Sequence, residues 1–198
     1  MIITVTGKIG CGKDSVCELL NQDKKYHIID ADKTAHSLLL NPDIIQEINK
    51  VFFGGSFKAR NREWESENDP NLIDYRKKLA RVVFPFRVQE LNAIIHPQLR
   101  KVIREQITDN CLINAALLSE LKLKEISNLV VLVDSTFQNV KRRLSDKFYF
   151  KQLKKRWKSQ KRIQWYRKQA DIIIPNNGSK NDLRFSTEYL NQKIAKSS

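Results

Sequence analysis

Gly7-Lys8-Ile9-Gly10-Cys11-Gly12-Lys13-Asp14-Ser15 is the stretch whose reading decides the fold. Before it runs Ile2-Ile3-Thr4-Val5-Thr6, apolar enough for a buried strand. After it Val16, Leu19 and Leu20 recur at i, i+3, i+4, which marks one face of a helix. Strand, glycine-rich loop, lysine and helix in that order are the setting a phosphate-binding loop requires. The glycines let the backbone curl into a ring of N–H donors that side chains would block. The helix behind adds its dipole and its free N-terminal amides, and both favour an anion. Gly7, Ile9, Gly10, Cys11, Gly12, Lys13, Asp14 and Ser15 are therefore the expected nucleotide-binding residues, with Lys13 reaching the terminal phosphates as a mobile point charge. The pattern G-x-x-x-x-G-K-[ST] asks for a hydroxyl after the lysine to hold Mg²⁺, and this chain has Asp14 there. Asp14, or the hydroxyl of Ser15 beside it, is the expected metal ligand. The competing reading is a glycine-rich strand-to-helix turn with an aspartate N-cap.

Composition bounds the rest. The 198 residues suffice for one sizeable core with an insertion or lid. Hydrophobic content of 41% and charged content of 29% are ordinary for a globular protein. No apolar run approaches the roughly 20 residues needed to span a bilayer, and the chain opens inside its first strand without a charged leader. No membrane partner is expected. Cys11, Cys17 and Cys111 are odd in number and lack metal spacing, so they read as free thiols in a reducing cytoplasm. Net charge is +14, and it is concentrated. Residues 141–168 hold 13 of the 36 basic residues and one of the 22 acidic ones, Asp146, which leaves only +2 for everything else. Such a segment calls for a polyanionic partner.

Tyr26-His27-Ile28-Ile29-Asp30-Ala31-Asp32 reads as a second strand ending in two acids at i, i+2, a spacing that puts both carboxylates on one side. Ligands of open α/β sheets sit beyond the carboxyl ends of strands, so one or both acids should face the loop. A helix follows Asn41-Pro42 with Ile44, Ile45, Ile48, Val51 and Phe52 on one face, stopped by Gly54-Gly55. Residues 56–71 read as a surface loop closing at Asp69-Pro70. Helices are expected from Leu72 to Val83 and from Phe86 to Gln106, the second kinked or restarted at His96-Pro97. Further strands are expected over Cys111–Leu118, Asn128–Asp134 and Ala170–Ile174. Their continuous apolar character implies a parallel sheet covered on both faces. The expected fold class is thus α/β, three layers around a five-stranded parallel sheet. The expected division is a core of 1–32, 108–140 and 169–198, a helical insertion over 33–107, and a basic lid over 141–168. That lid, a charged helical hairpin with little core of its own, is expected to be mobile and placed to close over a nucleotide.

The order of these parts resembles the nucleoside-monophosphate-kinase type, and the particular residues resemble the dephospho-CoA kinase family. Gly7 to Lys13 is similar to that family's GGIGSGK loop, and Ile29-Asp30-Ala31-Asp32 with Ala35-His36 to its IDAD…AH. Asp74-Tyr75-Arg76, Leu79 and Val83-Phe84 resemble DR…L…VF, with the Asp–Arg pair spaced apart. Leu91 to Pro97 resembles L…I.HP, and Leu117-Leu118-Ser119-Glu120 resembles PLLFE. Gln160, Ala170 to Ile174 and Asn176-Asn177-Gly178 resemble Q…ADxVIxNxG. The resemblance implies a P-loop kinase fold and transfer of the ATP γ-phosphoryl to the ribose 3′-hydroxyl of dephospho-CoA, with ATP and Mg²⁺ as donor and metal. It implies Asp32 as the group that activates the hydroxyl, Lys13 on the β/γ-phosphates, and Arg143 and Arg156 as lid cations. His36, Arg76 and His96 are its candidates for the acceptor side. The chain departs from the family at Asp14, at Ala116 for proline, at Ser119 for an aromatic, and at Pro175 where an acid is common.

Two alternatives stay open at this point. One keeps the fold and changes the acceptor to another small hydroxyl compound or nucleotide. The other is a nucleic-acid-binding protein on a degenerate kinase scaffold, its basic segment backed by Trp157, Trp165 and Tyr166 as stacking platforms. Nucleic acid is not the expected partner, since two phosphorylated substrates account for much of the basic surface. A monomer or small homo-oligomer is expected.

Overall fold

The computed structural model describes residues 1–55, 64, 66, 68–84, 86–146 and 148–197. Five strands form one sheet: β1 (Ile2–Thr6), β2 (His27–Asp30), β3 (Cys111–Asn114), β4 (Leu129–Asp134) and β5 (Ile172–Pro175). They lie in the order β2-β3-β1-β4-β5, and every pairing is parallel. The α/β class and the all-parallel sheet are as expected. Contacts divide the chain into two units, one of Met1–Asp30 with Ile107–Ser198, the other of Ala31–Gln106.

The first unit carries the sheet. Its helices are α1 (Lys13–Leu20), α6 (Phe137–Arg143), α7 (Phe150–Ser159), α8 (Ile163–Gln169) and α9 (Lys180–Ser197). Alternation along the strands sends Ile3, Val5, Val131 and Val133 to one face, where they pack with Val16, Cys17 and Leu20 of α1 and Leu183, Leu190 and Ile194 of α9. Thr4 points the other way and shares a 2.7 Å hydrogen bond with Ser127. The expectation that all strands are covered on both faces fails at the edges. Ile28 of β2 and Ile173 of β5 are exposed, because each edge strand has a neighbour on one side only. The third strand stops at Asn114 rather than Leu118. Leu118, Leu121 and Leu123 are buried from the turns that follow, so apolar character there reflects packing and not pairing.

The second unit is helical: α2 (Ala31–Ser37), α3 (Pro42–Phe53), α4 (Pro70–Val83) and α5 (Val88–Glu105). Caps set its boundaries. Asn41 accepts from the Asp43 amide and Asp69 from the Asn71 amide, each just ahead of a first-turn proline, and Gly54 closes α3 at φ 60°. Asp69-Pro70 therefore opens α4 instead of ending a loop, while residues 56–63, 65 and 67 of that expected loop lie outside the described residues. Val51, assigned to the apolar face of α3, is exposed; Ile44, Ile45, Ile48 and Phe52 make that face. No restart occurs at Pro97, which sits inside the single helix α5. Burial of Ile94 before it and of Leu99 and Ile103 after it carries the helix through the missing donor. Phe86 lies ahead of α5 and is exposed.

Candidate active site

The loop between β1 and α1 has the backbone that its glycines permit. Gly7 sits at φ +144°, and a Cβ on it would lie 2.5 Å from the Val133 carbonyl oxygen, a backbone atom that has nowhere to go. Gly12 caps α1 in the left-handed region, at φ 98°, and no side chain caps the helix there. The first amides of α1 are thus left for an anion, and Lys13 is the residue that opens the helix. Cys11 is buried within the loop, and burial raises its thiol pKa, so it behaves as a small packed hydrophobe. Gly12 as cap replaces the aspartate cap of the competing reading.

The basic segment touches this loop directly. The Ile9 amide donates to Gln160 Oε1 at 2.9 Å, and Lys8 Nζ stands 4.3 Å from the centre of the Trp157 ring. Lys8 is buried, which lowers its pKa through lost solvation. Arg143 is held by Asn176 O at 2.8 Å, Asn176 Oδ1 at 3.0 Å and Ser135 Oγ at 3.3 Å. These acceptors are neutral oxygens, so they hold the guanidinium in place without cancelling its charge. The buried Asn176 side chain also donates to Cys11 O at 2.8 Å, which ties Arg143 to the loop through one amide. Arg156 stacks over Phe148 at 5.0 Å. Arg167 donates Nε and Nη2 to Asp134 Oδ2, at 3.0 and 2.6 Å, where β4 ends.

Not every aromatic of this segment is available as a platform. Tyr166 is buried and donates its hydroxyl to Ala116 O at 3.1 Å, with Trp165 edge-on against it. Trp157 already serves Lys8. The three aromatics therefore do not stand as a row of equally exposed stacking platforms.

The two acids of the Asp30-Ala31-Asp32 run separate. Asp30 is the last residue of β2, whereas Asp32 lies in the first turn of α2, so the shared face expected of a single strand does not exist. The chain turns helical at Ala31, which is buried. Asp32 and His36 are exposed on α2, and Arg76 Nη2 donates to the His36 carbonyl at 3.0 Å within the same unit. His96 is half-buried on α5.

Asp14 and Ser15 are exposed in the first turn of α1. Asp14 Oδ1 accepts from Asn114 Nδ2 at 2.6 Å. Among the described residues no cluster of three or more His, Cys, Asp or Glu is set to hold a metal. The oxygens of Asp14, Ser15 and Asn114 are all hard donors, the type Mg²⁺ takes alongside nucleotide phosphates, so the residue set fits that ion. Sequence reasoning passed over Asn114, Asp134 and Lys8, and quoted Gln160 and Asn176 without a role. Asn114 and Asp134 carried the signal used for Asp30, a polar residue at the carboxyl end of an apolar run. Nothing in the sequence pointed to Lys8 beside Trp157.

Among the described residues, no helix is long and apolar enough to cross a membrane. The family model described as dephospho-CoA kinase matches residues 1–182. A dephospho-CoA kinase of Aquifex aeolicus is 31% identical over 191 residues, covering 89% of each chain. Among solved structures, the dephospho-CoA kinase of Campylobacter jejuni superposes with TM-score 0.60 at 25% identity, over 98% of this chain and 96% of its own. The Thermus thermophilus protein TT1252 gives 0.73 at 24% identity over 98% and 97%, which speaks to the fold. The chain belongs to the dephospho-CoA kinase family.

Proposed function

We propose that this chain, as a member of that family, transfers the γ-phosphoryl group of ATP to the ribose 3′-hydroxyl of dephospho-CoA, giving CoA and ADP. The observation that carries the reading is the family match across residues 1–182, on a chain whose loop 7–15 has the backbone of a phosphate cradle. Lys13 and the uncapped amides at the start of α1 bind the β- and γ-phosphates. The 3′-oxygen attacks the γ-phosphorus, the bond from that phosphorus to the β,γ-bridging oxygen breaks, and ADP leaves with the bridging oxygen. Asp32, exposed on the first turn of α2, takes the hydroxyl proton or orients the hydroxyl.

Arg143 and Arg156 lie on α6 and α7, beside the elements that touch the loop, and offset charge as the phosphoryl group moves. Contacts of Gln160 and Trp157 with the loop let the basic segment act as a lid that keeps water from the phosphates. Arg76, His36 and His96, from α4, α2 and α5 of the helical unit, contact the acceptor. Magnesium, when bound with ATP, would supply neutralisation of charge on the phosphates. Asp14 and Ser15 would hold it. Three buried free thiols support a cytoplasmic setting.

The test is a coupled ADP-release assay. The native chain should release ADP with dephospho-CoA as acceptor, and Lys13→Ala and Asp32→Asn should each lose at least about a hundredfold, on the scale of a single electrostatic or acid–base group. Asp32→Asn should still bind ATP. Phosphorylation of another hydroxyl compound from an acceptor panel, with no CoA formed, would overturn the acceptor assignment.

A further inference from the structure

The common P-loop arrangement holds its metal with a hydroxyl after the loop lysine and an aspartate elsewhere in the site. In this chain the residue after the lysine is the carboxylate, Asp14, and the residue facing it from the neighbouring strand is the neutral Asn114. Asn114 ends β3, in register with Val5 of β1 and Asp30 of β2, and is buried. Its Nδ2 is spent on Asp14 Oδ1 at 2.6 Å. That bond fixes the orientation of the amide and leaves Oδ1 as a buried acceptor with no hydrogen-bond partner among the described residues. Buried acceptors are seldom left so, because desolvation is then uncompensated. A cation beside the exposed Asp14 carboxylate would satisfy it.

We propose that Asp14 and Asn114 are a transposed metal-holding pair, the carboxylate placed on the helix and the neutral oxygen on the strand, and that together they hold the divalent cation accompanying the nucleotide. The proposal rests on the P-loop kinase reading above. It accounts for a carboxylate at position 14 facing a neutral amide at position 114. An aspartate at 114 would press a second carboxylate against Asp14 at hydrogen-bonding distance, where like charges repel strongly. A serine at 14 beside Asn114 would leave the pair without an anionic oxygen. Exchanging the groups keeps one carboxylate and one neutral oxygen.

The test measures Mn²⁺ binding by electron paramagnetic resonance in the presence of ADP, for the native chain, Asp14→Ser, Asn114→Asp, the double variant and the isosteric Asp14→Asn. Folding of each is checked by circular dichroism, and ADP binding in EDTA is measured on the same samples. Asp14→Ser and Asp14→Asn should each weaken Mn²⁺ by about tenfold or more, the scale seen for metal-site partners. The double variant should recover most of that loss, because it rebuilds the common arrangement. If Asp14→Asn binds Mn²⁺ as the native chain does, or the double variant is no better than Asp14→Ser, the pair is only an internal tie between α1 and β3 and the proposal fails. Native ADP binding in EDTA that Mn²⁺ does not tighten would reject the pair and keep the nucleotide site. No ADP binding under either condition would reject both.

Discussion

Asn176→Ala tests whether one buried amide couples the phosphate loop to Arg143. The substitution removes two interactions: the donation from Nδ2 to Cys11 O at 2.8 Å, and the acceptance by Oδ1 from Arg143 at 3.0 Å. The backbone bonds of residue 176 to Arg143, Ser135 and Asp134 are unaffected. The Cys11 carbonyl lies in a buried residue, so losing its donor leaves desolvation uncompensated at about 1–3 kcal/mol. Arg143 is exposed and keeps another acceptor, so its loss adds little. The expected destabilisation is about 2 kcal/mol, or about 4–8 °C in melting temperature for a chain of this length. Asn176→Asp should be worse than alanine, because it sets a carboxylate oxygen against the Cys11 carbonyl. Urea midpoints at constant m-value give the numbers, and ATP KM should rise with the loop's loss of shape. A change under about 0.5 kcal/mol, the range of ordinary surface substitutions, would refute the coupling, as would an aspartate variant as stable as the native chain.

Gln160→Ala should accelerate hydrogen exchange at the Ile9 amide and cost about 1 kcal/mol, since Lys8 over Trp157 still holds α7 to the loop. Burial chiefly, and then the charge of Asp14, pushes Cys17 up to about 12 from an ordinary thiol's 9.0. Between those values the unfolded chain loses a proton that the folded chain keeps. Stability should therefore fall as pH rises above 9, by about 1.4 kcal/mol per pH unit for this group, and urea titrations of Cys17→Ala should show a shallower decline. Tyr75→Phe should cost about 1–3 kcal/mol, because it strands the buried Asn49 Oδ1 that the hydroxyl reaches at 2.9 Å. Adding Asn49→Leu should recover part of that, readable by thermal melts.

The run from Ile2 to Leu20 could be read from sequence because all its determinants are local. An apolar strand, glycines at a turn and an i, i+3, i+4 face each lie within one short window. The parallel character of the sheet was legible for the same reason, in continuous apolar runs. The order β2-β3-β1-β4-β5 was not, because it joins strands as distant in the chain as those of Ile3 and Leu129. Asp30 and Asp32 show how a local rule fails by one residue: the strand ends between them, and Asp32 falls on a helix instead. Pro97 shows tertiary burial overriding a local breaker.

The basic segment divides along the same line. Its charge of +12 is plain in composition, yet composition cannot say that Arg167 is spent on Asp134, that Trp157 receives Lys8, or that Gln160 takes a loop amide. Asp14 looked, in sequence, like a defect in a phosphate-binding pattern. Its meaning depends on Asn114, a hundred positions away, brought to 2.6 Å by the pairing of β1 with β3. Sequence alone determined the loop, the class of fold and the chemistry of the residue types. Which groups face one another was decided by strand order and register, since a side chain's partner is set by where the backbone of another element lies and not by its own neighbours in the chain.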